Sequence, residues 1–182
     1  MVNTSGSSRC RRGWHLLKRL ILLKLLLGGI CASAVEIRIA SYNVEHGVGR
    51  FNTQAGTFTD VFQEAKYAAV SAVVARIDAD VIGFQELYAS AEHFAGWMKL
   101  AEELGYPYWS LSEQGDIPSH TMRRGVFSRY PILSEHSIKA PPGTAEMTRA
   151  PMRVVIDVPD AAAPLVLWNV HHRSGGGHFR SF

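Results

Sequence analysis

Asn43, Glu86 and His171 are residue types that handle metal ions and phosphates, and each closes an apolar run. Ile37 to Tyr42 leads into Asn43, Val81 to Gln85 into Glu86, and Leu165 to Val170 into His171. Glu86 offers carboxylate oxygens, ligands that suit Mg2+, Mn2+ or Ca2+ rather than zinc. Asn43 offers an amide oxygen to a metal and amide N–H groups to a phosphate oxygen. His171 can protonate a leaving oxygen or donate to a phosphoryl oxygen. Each has a plainer reading beside the functional one: a strand-end Glu facing water, a turn Asn, a structural His. His46, His172 and His178 read as loop residues. Adjacent His171 and His172 point to opposite faces of an extended segment, so only one of them enters a shared site.

The elements that must position these residues follow from periodicity. Val35 to Tyr42 reads as a strand rich in β-branched residues, and the polar stretch Glu45 to Thr59 as a loop. Over Val61 to Ile77, Val61, Ala65, Ala69, Val73 and Ile77 recur at helical spacing, widened by Val70 and Val74. Asp78-Ala79-Asp80 breaks that helix, and Val81 to Phe84 is a short buried strand with Glu86 beyond its end. A second helix is expected over Ala91 to Leu104, stopped at Gly105. Strands are expected at Tyr108 to Leu111, Gly125 to Ser128, Ile132 to Ala140, Arg153 to Val158 and Leu165 to Val170. The last two read as a hairpin turned by Pro159 to Pro164. Two early helices followed by consecutive strands predict a mixed sheet with helices packed outside it. Open α/β sheets place their chemistry beyond the carboxyl ends of strands, where all three polar residues fall.

Charge gives little support to a nucleic-acid face. The chain carries 19 Lys and Arg against 16 Asp and Glu, for a formal net charge of +3. Arg9, Arg11, Arg12, Lys18, Arg19 and Lys24 all precede residue 35, and no acidic residue does, so the body from residue 35 is mildly acidic. Both cysteines, Cys10 and Cys31, lie in the same leader, which leaves no disulfide framework or thiolate metal site in the body. Basic Arg9 to Arg19, apolar Leu20 to Leu27 and Ala32-Ser33-Ala34 have the layout of a secretory signal peptide cut after Ala34. Residues 1–34 are therefore expected to be a leader and 35–182 a domain, with a secreted or periplasmic location. An uncleaved membrane anchor is the alternative, against which the apolar run is short.

Taken in order, Ser41-Tyr42-Asn43, Asp80-Val81-Ile82-Gly83-Phe84-Gln85-Glu86, Gly125-Val126-Phe127-Ser128-Arg129-Tyr130-Pro131-Ile132 and Trp168-Asn169-Val170-His171 resemble the endonuclease/exonuclease/phosphatase superfamily, the DNase I-like fold. The resemblance covers residues 35 to 175. It implies a four-layered α/β sandwich (an α+β architecture) and divalent-metal-dependent hydrolysis of a phosphoester, with Mg2+, Mn2+ or Ca2+ as the metal. By position Glu86 resembles the family's metal-binding Glu, and Asn43 its partner at the metal and the scissile phosphate. His171 resembles the strand-end His at the phosphate or leaving group. The substrate would be a phosphoester, whether nucleic acid, phospholipid headgroup or small phosphodiester, and no obligate protein partner is called for.

Two departures from the family pattern are legible. The later Gly-Asp-Phe-Asn-like and Ser-Asp-His motifs do not occur, so the domain is expected to be incomplete at its C-terminus, with the general base beyond residue 182. Ser119 to Arg124 stands where deoxyribonuclease-type members carry a Tyr and a Glu, so the Glu that would orient His171 is missing. Two alternative readings stay open: a catalytically inactive fragment or remnant of such a domain, and a sphingomyelinase-like phospholipid phosphodiesterase. Arg149 and Arg153 read as surface arginines, with reach to an anionic substrate as the alternative. Tyr106, Tyr108 and Trp109 read as core or sheet-face aromatics rather than a pocket wall.

Overall fold

The computed structural model describes residues 35–88, 90–113, 122–144 and 149–171. The leader, His172 and His178 lie outside these residues. Strand β1 (Ile39–Asn43) is followed by a small hairpin, β2 (Phe51–Asn52) and β3 (Thr57–Phe58), within the stretch expected to be loop. Then come helix α1 (Val61–Ile77), β4 (Val81–Tyr88), helix α2 (Ala91–Glu103), β5 (Tyr108–Leu111) and β6 (Met122–Ser128). Strands β7 (Ile132–Ser137), β8 (Met152–Ile156) and β9 (Leu165–Asn169) complete the order.

One sheet runs β1-β4-β6-β5 and a second runs β7-β8-β9. In the first, β1 is parallel to β4 while β6 is antiparallel to both β4 and β5. Parallel pairing of β1 and β4 brings their carboxyl ends, and hence Asn43 and Glu86, to the same edge of the sheet. Strands β8 and β9 form the expected hairpin, with Met152 opposite Asn169.

Three layers follow from the two cores. Tyr67, Val70 and Val74 of α1 and Trp97, Leu100 and Ala101 of α2 pack with Ile82, Phe84, Leu87 and Phe127 on one face of the first sheet. Val81 and Val126, on its other face, pack with Met152, Val154 and Ile156 of the second sheet and with Val158 just beyond β8. These are layers of the expected sandwich; among the described residues no helix covers the outer face of β7-β8-β9. Val166 and Trp168 on that face are 45% and 53% exposed.

Local chemistry explains the helix limits. Asp60 caps α1, its carboxylate accepting from Phe62 N at 3.0 Å and Gln63 N at 2.9 Å. Asp78 ends α1 in the left-handed region, at φ 45°. Ser90 caps α2, and Gly105 follows it at φ 71°. In α2, Gly96 allows a close backbone crossing: a Cβ there would lie 2.3 Å from Gly49 O. The loop that leaves Asn43 is thereby laid directly on the helix.

The buried face of α1 keeps Val70, Val74 and, in part, Ile77 of the expected stripe but not the rest of it. Val61 and Val73 are exposed, at 72% and 40%, with Ala65 and Ala69 also outward, while Tyr67, Val70 and Val74 point inward. Ala and Val occur all round this helix, so helical spacing had little contrast to read. The large Tyr67 ring decides the orientation. Several strands also differ at their ends. Strand β1 starts at Ile39 rather than Val35, β6 extends back to Met122, β7 stops at Ser137, and β8 spans Met152–Ile156.

Candidate functional site

The largest difference from expectation is at Glu86, which stands inside β4 rather than beyond its end. Phe84 pairs with Gly125 and Leu87 with Arg123, so the ladder slips between them. Two residues, Gln85 and Glu86, thus oppose the single residue Arg124, which is a β-bulge. The bulge reconciles two demands. Leu87 lies an odd number of residues from Phe84 and in a regular strand would face the opposite side; the extra residue returns it to the helix-side core. Glu86 absorbs the kink at φ 62°, a left-handed conformation that is costly for a side chain with a Cβ.

Glu86 and His171 meet. Glu86 Oε1 lies 3.3 Å from His171 Nε2, with the two side chains 16% and 15% exposed. Arg149 Nη1 lies 2.9 Å from the same His171 nitrogen. The guanidinium can only donate, so it bonds an unprotonated Nε2, whereas the carboxylate accepts from a protonated one. The two neighbours therefore favour opposite protonation states of one atom. Arg149, read from sequence as a surface residue, belongs to the site; Arg153 sits on β8 opposite Trp168, away from it. In place of the missing orienting Glu, His171 has Glu86 itself and Arg149 as neighbours.

Asn43 closes β1 in register with Gln85, one residue from Glu86. Its Oδ1 accepts from Glu45 N at 2.9 Å, and Val44 N donates to Gln85 O at 3.2 Å. The amide oxygen's second lone pair and the amide N–H groups remain for a ligand. Beyond it Glu45, His46 and Gly47 all have positive φ, at 44°, 70° and 87°. His46 is an exposed loop residue, as expected, and its ring stacks on Tyr88 at 5.6 Å with Nδ1 2.9 Å from Tyr88 Oη.

Gln85 and Asn169 tie these pieces together. Asn169, 4% exposed, donates from Nδ2 to Phe84 O and to Gly125 O, each at 2.9 Å, next to the slipped part of the ladder. Its Oδ1 accepts from Gln85 Nε2 at 2.7 Å, and that amide also reaches Ser41 Oγ at 3.0 Å. Gly83 makes room, since a Cβ there would lie 3.3 Å from Asn169 Nδ2. Neither residue was singled out from sequence. The available signal was a polar side chain on the inward phase of each strand, where burial demands a partner.

The electrostatics beside this network are positive. Arg124 is 1% exposed, and burial, with Arg149 and Arg123 nearby, pushes its guanidinium down to about 10. Among the described residues no group of three or more His, Cys, Asp or Glu side chains gathers as a metal cluster. The donor set is instead one carboxylate and one amide oxygen. That set fits a hard, mostly hydrated divalent cation and not a zinc cage. A cleft on the α2 side, lined by Phe51, Phe94, Met98, Tyr106 and Trp109 among others, contains none of Asn43, Glu86 and His171. Tyr106 is also a core residue, its hydroxyl donating to Ala79 O at 2.7 Å, whereas exposed Trp109 lines the cleft and meets Trp97 edge-on at 5.6 Å.

The pattern of known proteins agrees with this geometry. The Endonuclease/Exonuclease/phosphatase family profile matches residues 40–179. No curated protein sequence is similar enough to count as a relative. Among solved structures, a protein of that family from Leptotrichia buccalis C-1013-b is 16% identical with a TM-score of 0.51, covering 76% of this chain and 55% of its own. ANGEL2, a 2',3'-cyclic phosphatase in complex with adenosine-2',3'-vanadate, is 13% identical with a TM-score of 0.52, covering 72% of this chain and 40% of its own. The human Nocturnin catalytic domain with bound sulfate is 14% identical at the same TM-score of 0.52, covering 72% and 48%. This chain thus spans about half the length of the structures it resembles, and shares their DNase I-like fold. Bulged Glu86, the adjoining strand end at Asn43, and His171 across the sheet gap lie within the matched residues, and the chain belongs to the endonuclease/exonuclease/phosphatase family.

Proposed function

We propose that this protein is a divalent-metal-dependent hydrolase of phosphoesters, with Glu86, Asn43 and His171 as its metal and phosphate side. The observation that carries the proposal is Glu86, held at φ 62° with its carboxylate 3.3 Å from His171 Nε2. Strain of this kind persists where the surroundings over-determine it, and it gathers at functional sites. Family membership and the phosphate-type ligands of the similar structures, a vanadate and a sulfate, support the same chemistry.

Glu86 and Asn43 would hold Mg2+, or Mn2+ or Ca2+, through oxygen. Once bound, the ion would supply Lewis-acid neutralisation of phosphoryl charge. The chain's own residues do the rest. The Asn43 amide N–H groups donate to a phosphate oxygen and fix its orientation. Protonated at Nε2, His171 donates to a phosphoryl or leaving oxygen; after giving up that proton, the same nitrogen accepts from Arg149. Arg149 would thus favour the product state of the proton transfer and limit the drift of the ring. Gln85 and Asn169 exert their effect only through position, by holding the two strands that carry Glu86 and His171.

The proposed cellular setting is export, with residues 1–34 as a cleaved signal peptide; N-terminal sequencing of the exported protein would read Val35 as its first residue. The hydrolase proposal is tested by turnover of an aryl phosphodiester with Mg2+ and with chelator, using a chain extended to the length of its relatives. Chelator-sensitive release of the aryl alcohol is expected. Turnover unaffected by chelator would refute the metal assignment, and absence of turnover on a panel of phosphoesters would favour the inactive remnant.

A further inference from the structure

Arg124 takes no part in the hydrolytic chemistry above, yet it is the most unusual charged residue in the structure. It is 1% exposed, and its Nε and Nη2 are buried without a hydrogen-bond partner. The bulge places it directly opposite Gln85 and Glu86 on the neighbouring strand. Its strand neighbour Arg123 also has a buried Nε without a partner, although Arg123 Nη1 donates to Ser112 O at 3.3 Å. The charges that act on Arg124 are those of Arg149 and Arg123, both of its own sign. No ion pair joins it to a carboxylate among the described residues.

A buried charge without a counter-charge costs several kcal/mol, so a protein that retains one has a use for it. The planar guanidinium fork suits a tetrahedral oxyanion, which it can bond at two oxygens. The location narrows the anion further. Arg149 links the cationic cluster to the site, since its Nη1 is 2.9 Å from His171 Nε2, itself 3.3 Å from Glu86 Oε1. Arg149 Nη2 also lies 3.7 Å from Met122 Sδ, two residues before Arg124 on β6, and Val126, two residues after it, packs on the second sheet, so Arg124 shares the strand face that Arg149 meets.

We infer that Arg124 and Arg149 form a second anion subsite, which takes a phosphoryl group of the substrate other than the one hydrolysed. Preferred substrates are then phosphoesters that carry a second phosphate. This substrate class rests on the hydrolase reading, but the anion subsite does not, and the two fail separately.

The test is thermal unfolding of the full chain in chelator, with inorganic phosphate or pyrophosphate at millimolar concentration against sodium chloride of matched ionic strength. A ligand that binds only the folded state raises the melting temperature. The wild type is expected to melt higher with phosphate than with chloride. Arg124→Met should melt higher than wild type without phosphate and lose the phosphate response, while Glu86→Gln should keep it. An equal rise with chloride, no rise at all, or a full phosphate response in Arg124→Met would overturn the subsite. Should Arg124→Met not fold, half-buried Arg149→Met takes its place: it should at least halve the response, and an unchanged response would overturn the proposal. For the substrate class, a dinucleotide with a terminal phosphate is compared with the same dinucleotide lacking it. A kcat/KM preference of about tenfold for the former, lost in Arg149→Met, is expected from one charge-assisted contact. Equal kcat/KM values would overturn the second-phosphate assignment. Turnover of neither dinucleotide by a protein that still responds to phosphate would uphold the subsite and count against the hydrolase.

Discussion

Gln85 Nε2 donates to Asn169 Oδ1 at 2.7 Å and so joins the first sheet to the second between the strand segments that carry Glu86 and His171. Gln85 precedes Glu86 directly, and Asn169 is two residues before His171. The bond therefore sets the distance across which the carboxylate and the imidazole face each other. Asn169 also supplies both donors needed by the Phe84 and Gly125 carbonyls beside the bulge. A single buried amide thus supports the strained backbone and aligns the site.

Removing that amide should be costly in two ways. Asn169→Ala leaves two buried carbonyls without the amide that donates to them and removes one acceptor of the Gln85 amide, and a loss of about 2–4 kcal/mol of unfolding free energy is expected. Urea unfolding measures the loss. Activity should fall further than the folded fraction does, because His171 loses its alignment. A variant within about 0.5 kcal/mol of wild type would contradict the role given to Asn169.

Glu86→Gly should separate stability from function. Glycine adopts φ 62° without the Cβ penalty, so the variant is expected to gain about 1 kcal/mol while losing hydrolysis. Glu86→Gln keeps the strain and should lose activity without that gain. Equal stabilities of the two variants in denaturant would show that the left-handed backbone carries no strain.

Helix α1 offers a test of its buried face. Phe62 is 79% exposed and Val74 fully buried. Phe62→Ser should change stability by less than about 0.5 kcal/mol. Val74→Ala should cost about 1–3 kcal/mol through lost burial and a residual cavity. The reverse order, measured by chemical unfolding, would contradict this buried face.

His93 supplies a pH dependence. Burial, and then the Arg50 charge, hold its imidazole below the usual histidine value, so the unfolded chain takes up the proton first as pH falls. Stability should therefore drop as pH falls through about 6.5, the unfolded histidine value. His93→Asn should flatten that part of the profile, measured as unfolding free energy at pH 7.5 and pH 5.5. An unchanged slope would rule out His93 as its source.

Much of the candidate site was legible because a polar residue closing an apolar run is a local signal. Asn43, Glu86 and His171 each follow an apolar run, and the structure brings Glu86 and His171 into contact with Asn43 on the adjoining strand end. The bulge was not legible, since apolar Val81 to Phe84 ends where a strand could as well stop. Only pairing with β6 shows that the ladder slips and resumes at Leu87. Arg149 was read first as a surface residue, and Asn169 was passed over, for a related reason. Their importance comes from contacts 22 and 85 residues away in sequence, with His171 and Phe84 respectively. Part of the face of α1 was misjudged because alanine and valine look alike on every side of a helix, while one tyrosine outweighs several of them.

The most direct test of the account is hydrolysis of an aryl phosphodiester by Glu86→Gln in a chain of full family length, with saturating Mg2+. The substitution keeps the size of the side chain and its backbone conformation but removes the charge that would hold the ion. Loss of most Mg2+-dependent turnover is predicted, on the order of a hundredfold or more, with unfolding close to that of wild type. Near-normal turnover by a folded Glu86→Gln protein would contradict the assignment of Glu86 as the metal carboxylate.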